Sequence, residues 1–296
     1  MTNQAGFVAI IGKPNVGKST LLNSLIGQKI SITSRKPQTT RQNITGVRTE
    51  EKCQILFVDT PGIHTTKSGA LNRYMNRSAR LALKDVDVVL LVLDRDRFSQ
   101  EDEYVSEVFL QNNAKKIVVV NKIDLYENSI KLLPVLADLQ NRYPDAVLIP
   151  LSAKKEKNLD ALLKVVKKCL PTAPFYFPGD QLTDRSERFL VSEIIREKIM
   201  RQFGREIPHQ TVVALERMKI EKEIVNIDAT VFVEKNSQKR ILIGSSGDKI
   251  KRVSTDARLD IEDLLEKKVM LRTWVKVKSG WSRDDDILKS LGFNEI

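Results

Sequence analysis

Short apolar runs, separated by polar and glycine-containing segments, mark the N-terminal part of this chain. They lie at residues 7–11, 56–58, 117–120 and 149–151. Runs of this length that are rich in β-branched residues predict buried strands, and residues 21–26, which follow the first run, are typical of a helix. The pattern predicts an α/β domain whose strands end in polar segments.

The C-terminal part has a different pattern, with a helical stripe followed by longer strands. Residues 184–203 carry apolar side chains at helical spacing after a polar start. Residues 211–220 and 224–233 are predicted strands, a helical stretch runs to about residue 265, and residues 269–277 form a closing strand. The predicted order is α-β-β-α-α-β. The stripe consists of Phe189, Leu190, Ile194, Ile195, Ile199 and Met200.

A proline-rich stretch at residues 171–180 separates the two parts. It contains three prolines and a glycine, which cannot continue a helix. We therefore predict a first domain over residues 1–175, a linker over 176–183 and a second domain over 184–296.

The segment between the first predicted strand and helix has the spacing of a phosphate-binding loop. Gly12 and Gly17 allow a tight turn that directs backbone N–H groups at phosphate oxygens beside a helix N-terminus. Lys18 would reach the β and γ phosphates, and the Ser19 hydroxyl would bind Mg²⁺. The predicted nucleotide-binding residues of this loop are Gly12, Lys13, Pro14, Asn15, Val16, Gly17, Lys18, Ser19 and Thr20.

The second motif follows the run at 56–58. Asp59 could hold the metal, and the backbone N–H of Gly62 could meet the γ-phosphate and so report its presence. The nucleotide-binding prediction also includes the neighbouring residues Thr60, Pro61 and Ile63.

Two further motifs indicate that the base is guanine. A carboxylate at Asp124 can accept from the guanine N1–H and exocyclic amine together, whereas adenine presents the wrong donors. The backbone N–H of Ala153 could meet the guanine O6. Because both motifs end apolar runs, they would share the ligand-binding edge of an open sheet. The residues assigned to the base are Asn121, Lys122, Asp124, Ser152 and Ala153.

A polar, basic segment at residues 34–42 has no periodicity and is predicted to be a mobile loop. In a nucleotide switch, such a loop is ordered when a threonine hydroxyl reaches Mg²⁺. Thr40 is the predicted ligand and Thr39 is the alternative. Residues 62–69 are the predicted second moving segment.

Composition is that of an ordinary folded protein, with 41% hydrophobic and 29% charged residues among 296. No window approaches 18 uninterrupted apolar residues and the N-terminus lacks a basic signal region, so we expect a cytoplasmic protein.

Cys53 and Cys169 are expected to be free thiols, and His64 and His209 form no zinc-binding pattern.

The net charge of +11 suggests an anionic partner. Residues 1–180 carry a net +8 and residues 181–296 a net +3, so the basic excess is not a C-terminal arm, and a local basic cluster lies in the second domain. Residues 235–258 contain seven basic and two acidic residues. Within them lies a GxxG turn, which in KH modules lets an RNA backbone approach closely. The alternative is a simple helix-entry turn. The predicted RNA-binding residues are Gly244, Ser245, Ser246, Gly247, Lys249, Lys251 and Arg252.

Taken together, these motifs resemble the Era family of bacterial ribosome-assembly GTPases. The resemblance covers almost the whole chain, including residues 12–22, 29–41, 58–62, 121–124, 183–198, 241–251 and 274–281. It implies a Ras-like P-loop GTPase domain with a mostly parallel sheet, followed by a smaller α+β type II KH domain. It also implies binding of GTP and GDP, hydrolysis with Mg²⁺, binding to the 3′ end of 16S ribosomal RNA, and a role in 30S subunit maturation.

The same resemblance implies cytoplasmic location with peripheral inner-membrane association, and we expect a monomer. It further suggests that Asn15 ligates an activating K⁺ beside the phosphates. The alternative for Asn15 is an amide that stabilises the loop. The residues expected to serve catalysis are Lys18, Thr40, Gly62 and Asn15, and those expected to hold the metal are Ser19, Thr40 and Asp59.

Two departures qualify these expectations. Ile63 stands where a Ras-like enzyme has the glutamine that orients water, so we predict slow intrinsic hydrolysis. Ser245 and Ser246 fill the GxxG turn and Asp248 follows it, where relatives often carry a basic residue, so phosphate attraction there should be weaker. Two functions remain open: an RNA-binding switch, or a signalling GTPase whose second domain docks a protein or membrane.

Overall fold

The computed structural model describes residues 2–62, 69–94, 98–204 and 206–293. These residues form two compact units. The first unit comprises residues 2–31, 40–62, 74–94 and 98–184, and the second comprises residues 32–39, 69–73, 185–204 and 206–293.

A six-stranded sheet organises the first unit. Its strand order is β2-β3-β1-β4-β5-β6, and only β2 is antiparallel to its neighbour. The strands are β1 Gln4–Ile11, β2 Ile44–Glu50, β3 Cys53–Asp59, β4 Val88–Asp94, β5 Lys115–Asn121 and β6 Val147–Pro150. The helices are α1 Lys18–Ile26, α2 Ala70–Leu81, α3 Gln100–Leu110, α4 Leu133–Arg142 and α5 Leu159–Cys169.

The four apolar runs of the sequence correspond to β1, β3 and β5 inside the sheet and to β6 at its edge. Residues 88–93 of β4 and 117–120 of β5 are buried without alternation, because helices cover both faces of the sheet. The parallel strands β1, β3, β5 and β6 all end at one edge. The four polar motifs follow these ends, which brings together groups that are distant in sequence.

A three-stranded sheet and its helices form the second unit. The order is β7-β8-β9, with β7 and β8 antiparallel and β8 and β9 parallel. This confirms the α+β class and the predicted order α-β-β-α-α-β, to which the structure adds a short helix before the first strand and another after the last. The elements are α6 Glu187–Gln202, α7 Glu206–His209, β7 Thr211–Glu221, β8 Ile224–Val233, α8 Asn236–Ile243, α9 Asp248–Leu265, β9 Lys268–Val277 and α10 Asp285–Ser290.

Alternating burial along β8 shows how this second core is made. Its inward residues pack with the apolar stripes of α6 and α9 in one cluster, while the intervening residues are more accessible. Along α6, the predicted stripe residues Ile194, Ile195 and Ile199 belong to this cluster. The apolar faces of the two helices and of the strand therefore pack together in a single core.

The stretch predicted as a linker, residues 176–183, lies along the first unit. The Gln54 side chain accepts from the backbone N–H groups of Tyr176 and Phe177 at 2.8 and 3.0 Å, and donates to the Phe177 carbonyl at 2.8 Å. The N–H of Val47 donates to the Leu182 carbonyl at 2.9 Å. Because these bonds satisfy its backbone, the segment is part of the first unit, which extends to Asp184.

Within the described ranges, none of the helices combines the length and apolar composition needed to cross a bilayer.

Candidate functional site

The loop between β1 and α1 has the backbone geometry of a phosphate cradle. Gly12, Asn15 and Gly17 have φ values of 156°, 66° and 103°. A Cβ atom at Gly17 would lie 2.4 Å from the Asn121 amide nitrogen, and one at Gly12 would lie 2.5 Å from the Val92 carbonyl. Glycine is therefore required at both positions by close approach, and the loop leads directly into the N-terminus of α1.

Lys18, the first residue of α1, folds back over this loop. Its Nζ donates to the carbonyls of Gly12 at 2.9 Å and Lys13 at 3.0 Å. Burial lowers the pKa of Lys18 to about 8, and nearby Asp59 partly opposes this effect. A phosphate group beside the ammonium would favour its charged form, so the site is suited to an anion.

The Lys13 side chain has a different role from Lys18. Its Nζ pairs with Asp102 at 2.6 Å, and Asp102 is also part of the capping box that begins α3. Lys13 could therefore bind phosphate through its backbone but not through its side chain.

Three hydroxyl groups converge on the buried carboxylate of Asp59. Its Oδ2 accepts from Ser19 at 2.7 Å, Ser31 at 3.0 Å and Thr40 at 3.2 Å, and the Ser19 and Thr40 oxygens lie 2.8 Å apart. Burial raises the pKa of Asp59, while the charge on Lys18 and these hydroxyl groups oppose that rise.

The other carboxylate oxygen of Asp59 indicates what this cluster can hold. Among the described residues, Oδ1 is buried and has no hydrogen-bond partner. An orphaned carboxylate oxygen is costly unless a cation or donor meets it. Carboxylate and hydroxyl oxygens are ligands that Mg²⁺ prefers, so Ser19, Thr40 and Asp59 fit that ion.

The structure distinguishes between the two candidate threonines. The Thr39 hydroxyl donates to the Lys36 carbonyl at 2.7 Å, whereas the Thr40 hydroxyl reaches the Asp59 cluster. Ser31 is a member of this cluster that sequence reasoning missed. Ser31 lies outside residues 34–42, the polar loop that the sequence predicts as the switch, and only its contact with Asp59 reveals it.

The segment after β3 approaches the phosphate loop. The Thr60 hydroxyl donates to the Ile10 carbonyl at 2.8 Å, and a Cβ atom at Gly62 would lie 2.9 Å from the Pro14 ring. The backbone at Gly62 is therefore close to the loop that would hold phosphates. Ile63 and most of the predicted second moving segment lie outside the described residues.

The residues predicted to recognise the base are joined by side-chain hydrogen bonds at the ends of β5 and β6. Asn121 donates to the Val16 carbonyl at 2.8 Å, and its Oδ1 accepts from the Ala153 N–H at 3.0 Å. Asp124 Oδ1 accepts from the Ser152 hydroxyl at 2.5 Å. The Ala153 N–H is thus already engaged, so the predicted contact with guanine O6 would have to be shared with Asn121.

Lys122 connects the base motif to the phosphate loop. Its Nζ donates to the Asn15 carbonyl at 2.8 Å and pairs with Asp94. All four motifs therefore belong to one connected site in the first unit.

The GxxG turn of the second unit joins α8 to α9. Gly244 and Gly247 have φ values of 78° and 81°, which favour glycine. Ser245, Ser246, Lys249, Lys251 and Arg252 are exposed around the turn. A Cβ atom at Gly247 would meet nothing within 4 Å, whereas one at Gly244 would lie 2.2 Å from the Asp248 carboxylate. The Gly247 backbone is thus open to an approaching chain.

Family models match both units. A model described as "50S ribosome-binding GTPase" matches residues 7–122, and a model described as "KH domain" matches residues 206–282. Among curated proteins, GTPase Era of Pseudomonas aeruginosa strain LESB58 is 51% identical over 99% of this chain and 96% of its own length. GTPase Era of Pseudomonas putida strain W619 is 50% identical over 99% of this chain and 98% of its own length.

Two solved structures are similar along the same length. One is Era in complex with MgGDPNP and nucleotides 1506–1542 of 16S ribosomal RNA; it has a TM-score of 0.95, 36% identity and coverage of 99% of this chain and 100% of that chain. The other is a variant of Aquifex aeolicus Era bound to GDP and AlF4⁻, with a TM-score of 0.95, 37% identity and the same coverage.

Proposed function

Because this chain belongs to the Era family of GTPases, we propose that it is a slow GTP-hydrolysing switch that binds the 3′ region of 16S rRNA through its KH domain and assists 30S subunit assembly. The 16S RNA in the complex of a similar protein supports the small subunit as the target. The matched "50S" description concerns a model that ends at residue 122, before the KH domain begins.

The cluster at Asp59 is the observation that best supports GTP binding and hydrolysis with Mg²⁺. Its unpaired buried oxygen and the Ser19 and Thr40 hydroxyls supply a set of oxygen ligands beside the Lys18 ammonium. When bound there, Mg²⁺ would neutralise charge on the β and γ phosphates.

The residues of the chain supply positioning and charge stabilisation. Backbone N–H groups of the loop and the Lys18 ammonium bind the β and γ phosphates, where negative charge accumulates during transfer. The Gly62 N–H binds the γ-phosphate. Ile63 has no group that accepts a proton or orients water, so we expect slow intrinsic turnover.

We further propose that K⁺ beside Asn15 supplies additional positive charge. Among the described residues, the exposed Asn15 side chain makes no hydrogen bond that would explain it as a loop-stabilising amide, and only its carbonyl is engaged, by Lys122. An amide oxygen at this position is available as a ligand for a monovalent cation.

The K⁺ proposal predicts that single-turnover hydrolysis is at least about tenfold faster in K⁺ than in Na⁺, because a cation at the phosphates stabilises the transition state. Asn15→Gly keeps the left-handed backbone of φ 66° while removing the amide, and it should abolish the difference between the two salts. Equal rates in K⁺ and Na⁺ for the unmodified protein would contradict the proposal.

RNA binding by the GxxG turn can be tested with Gly247→Asp. This substitution is expected to weaken binding of a 16S 3′-end RNA by about 100-fold, because a side chain and a negative charge would meet the RNA backbone. The new side chain has open space within the protein, and aspartate tolerates the left-handed φ of 81° better than most residues do, so the second unit should still fold. Fluorescence anisotropy with a labelled RNA measures the effect.

Gly280→Asp is the matched control. Gly280 also has a positive φ, 73°, with nothing within 4 Å of its Cβ position, but it lies outside the GxxG turn. Equal losses in the two variants would indicate a general charge or folding effect and count against the KH assignment.

The alternative is a signalling GTPase whose second unit docks a protein or membrane. The open GxxG turn, with exposed Lys249, Lys251 and Arg252 at the start of α9, favours RNA. Titration of the 16S 3′-end RNA against a scrambled RNA, with and without a GTP analogue, separates the two functions. Equal affinity for both RNAs would leave the docking function as the better description.

Cytoplasmic location, peripheral association with the inner membrane and a monomeric state are further parts of this proposal, and family resemblance supports them. Fractionation of cells at low and high salt tests the first two, because peripheral association held by charge is released by salt. Light scattering of the purified chain tests the third.

A further inference from the structure

The start of α3 lies beside the phosphate loop, residues 12–17, because of the topology of the first sheet. β1 and β4 are adjacent parallel strands, so the segments that follow them leave the same edge of the sheet side by side. The phosphate loop follows β1, and α3 follows β4. Both belong to the first unit.

One carboxylate oxygen of Asp102, in the first turn of α3, gathers three donors at this place. Oδ2 accepts from the Lys13 ammonium at 2.6 Å, from the Ser99 hydroxyl at 2.7 Å and from the Ser99 N–H at 2.9 Å. Asp102 is 3% exposed, so water cannot easily replace these partners. Because it is unfavourable to leave one charge of a buried pair alone, the Lys13 side chain is held firmly against α3.

The helix dipole explains why the carboxylate is needed. The N-terminus of an α-helix carries partial positive charge, which repels a cation such as the Lys13 ammonium. The first turn of α3 contains three acidic residues, of which Glu101 and Glu103 are exposed and Asp102 is buried. Asp102 is therefore the residue of this turn that binds the phosphate loop.

The backbone of Lys13 contacts the ammonium of Lys18. The Lys13 carbonyl accepts from the Lys18 Nζ at 3.0 Å. Gly12, the preceding residue, has a φ of 156°, and glycine restrains its own backbone very little. The position of the Lys13 carbonyl therefore depends on what holds the rest of the residue, and its side chain is held by Asp102.

We propose that Asp102 is a positioning residue for GTP hydrolysis. It binds the Lys13 side chain and so fixes the phosphate loop, and through the Lys13 carbonyl it sets the place of the Lys18 ammonium. This inference rests on the proposed function, because the position of the loop matters only if the loop binds the phosphates of GTP. The Ser99 and Asp102 spacing is that of a capping box, whereas the pair with Lys13 spans 89 residues and follows no local pattern.

Asp102→Asn in the full chain tests the proposal. The asparagine oxygen can still accept from Ser99, so the substitution keeps the helix cap and removes the charge that holds Lys13. We expect kcat for GTP to fall by about 10-fold to 100-fold, because small displacements of catalytic groups have effects of that size. Affinity for GDP should fall by less than about threefold, because GDP lacks the phosphoryl group that is transferred. Unchanged kcat in the folded variant would overturn the inference.

Glu103→Gln is the matched control, because it removes a negative charge from the same turn of α3 at an exposed position. It should retain the kcat of the unmodified protein. An equal loss of kcat in Glu103→Gln and Asp102→Asn would assign the effect to the charge of the helix and not to the contact with Lys13. That result would also overturn the inference.

A double-mutant cycle with Lys13→Met distinguishes positioning from general destabilisation. If Asp102 acts through Lys13, Asp102→Asn should have almost no further effect on kcat in a Lys13→Met background. An equal loss in both backgrounds would contradict the proposal.

The double variant also serves if Asp102→Asn does not fold, because it leaves neither charge of the pair buried alone. Its kcat should be lowered by about 10-fold to 100-fold, for the same loss of position at the loop. Wild-type kcat in the folded double variant would overturn the inference. Absence of GTP hydrolysis by the unmodified protein would instead refute the proposed function itself.

Discussion

Lys18→Met is expected to lower kcat/KM for GTP by about 1,000-fold or more, because it removes a preorganised cation from the site where the transferring phosphoryl group carries charge. The position of the Lys18 Nζ atom explains why the loss of activity should follow from removing this one group. Nζ is held between the Gly12 and Lys13 carbonyls, at 2.9 and 3.0 Å, so it is already directed at the interior of the loop. Water cannot replace it easily in a buried position.

The fold should tolerate this substitution. Burial lowers the pKa of Lys18 to about 8, which means that the nucleotide-free protein holds the charged form at a cost. Methionine fills a similar volume without that cost, whereas Asp59 loses the nearby charge that favours its ionised form. Because these two effects oppose one another, thermal unfolding of the nucleotide-free variant should occur at a temperature close to that of the unmodified protein.

Lys164→Met is a suitable control for lost charge, because Lys164 is exposed on α5. It should retain the activity of the unmodified protein. Hydrolysis is measured as phosphate release with saturating Mg²⁺. A Lys18→Met protein that is folded and retains near-normal kcat/KM would contradict the assignment of this loop to phosphate binding.

The second large effect concerns the preference for guanine over other bases. Asp124→Asn is expected to lower kcat/KM for GTP by about 100-fold and to raise it for xanthosine triphosphate, so that the preference is reversed. The carboxylate accepts from the two donors on the guanine edge. An asparagine amide would instead donate to the carbonyl that xanthine carries in place of the amine.

The surrounding contacts show why the effect should be confined to the base. Asp124 Oδ1 already accepts from the Ser152 hydroxyl at 2.5 Å, and an asparagine oxygen can keep that bond. Competition between GTP and xanthosine triphosphate gives the ratio of their kcat/KM values directly. Asp160→Asn, an exposed position on α5, controls for the lost charge; an unchanged GTP preference in Asp124→Asn would refute the base assignment.

The order of the main elements in the second unit could be predicted from periodicity, whereas in the first unit the pattern predicted β1, α1, β3, β5 and β6 but not β2, β4 or α2–α5. The helical stripe at 184–203 corresponds to α6, Glu187–Gln202, and the predicted strand at 224–233 corresponds to β8, Ile224–Val233. These predictions were confirmed because burial of one face imposes a fixed spacing on each element. The packing of residues 176–183 on the first unit was not predictable, since it depends on bonds from Gln54 and Val47, far away in the sequence.

The sequence by itself determined which ligand to test. Phosphate cradles and base recognition depend on local spacing, because a short loop must place glycine and lysine at fixed positions along one turn. For the same reason, the family and the GxxG turn were recognisable before any coordinates.

Only the tertiary structure decided which side chains complete the cluster. It selects Thr40 over Thr39, adds Ser31 at Asp59, and turns the Lys13 side chain toward Asp102. Such contacts join residues far apart in the sequence and follow no period, so they are determined by how the chain packs and not by the spacing of residues along it.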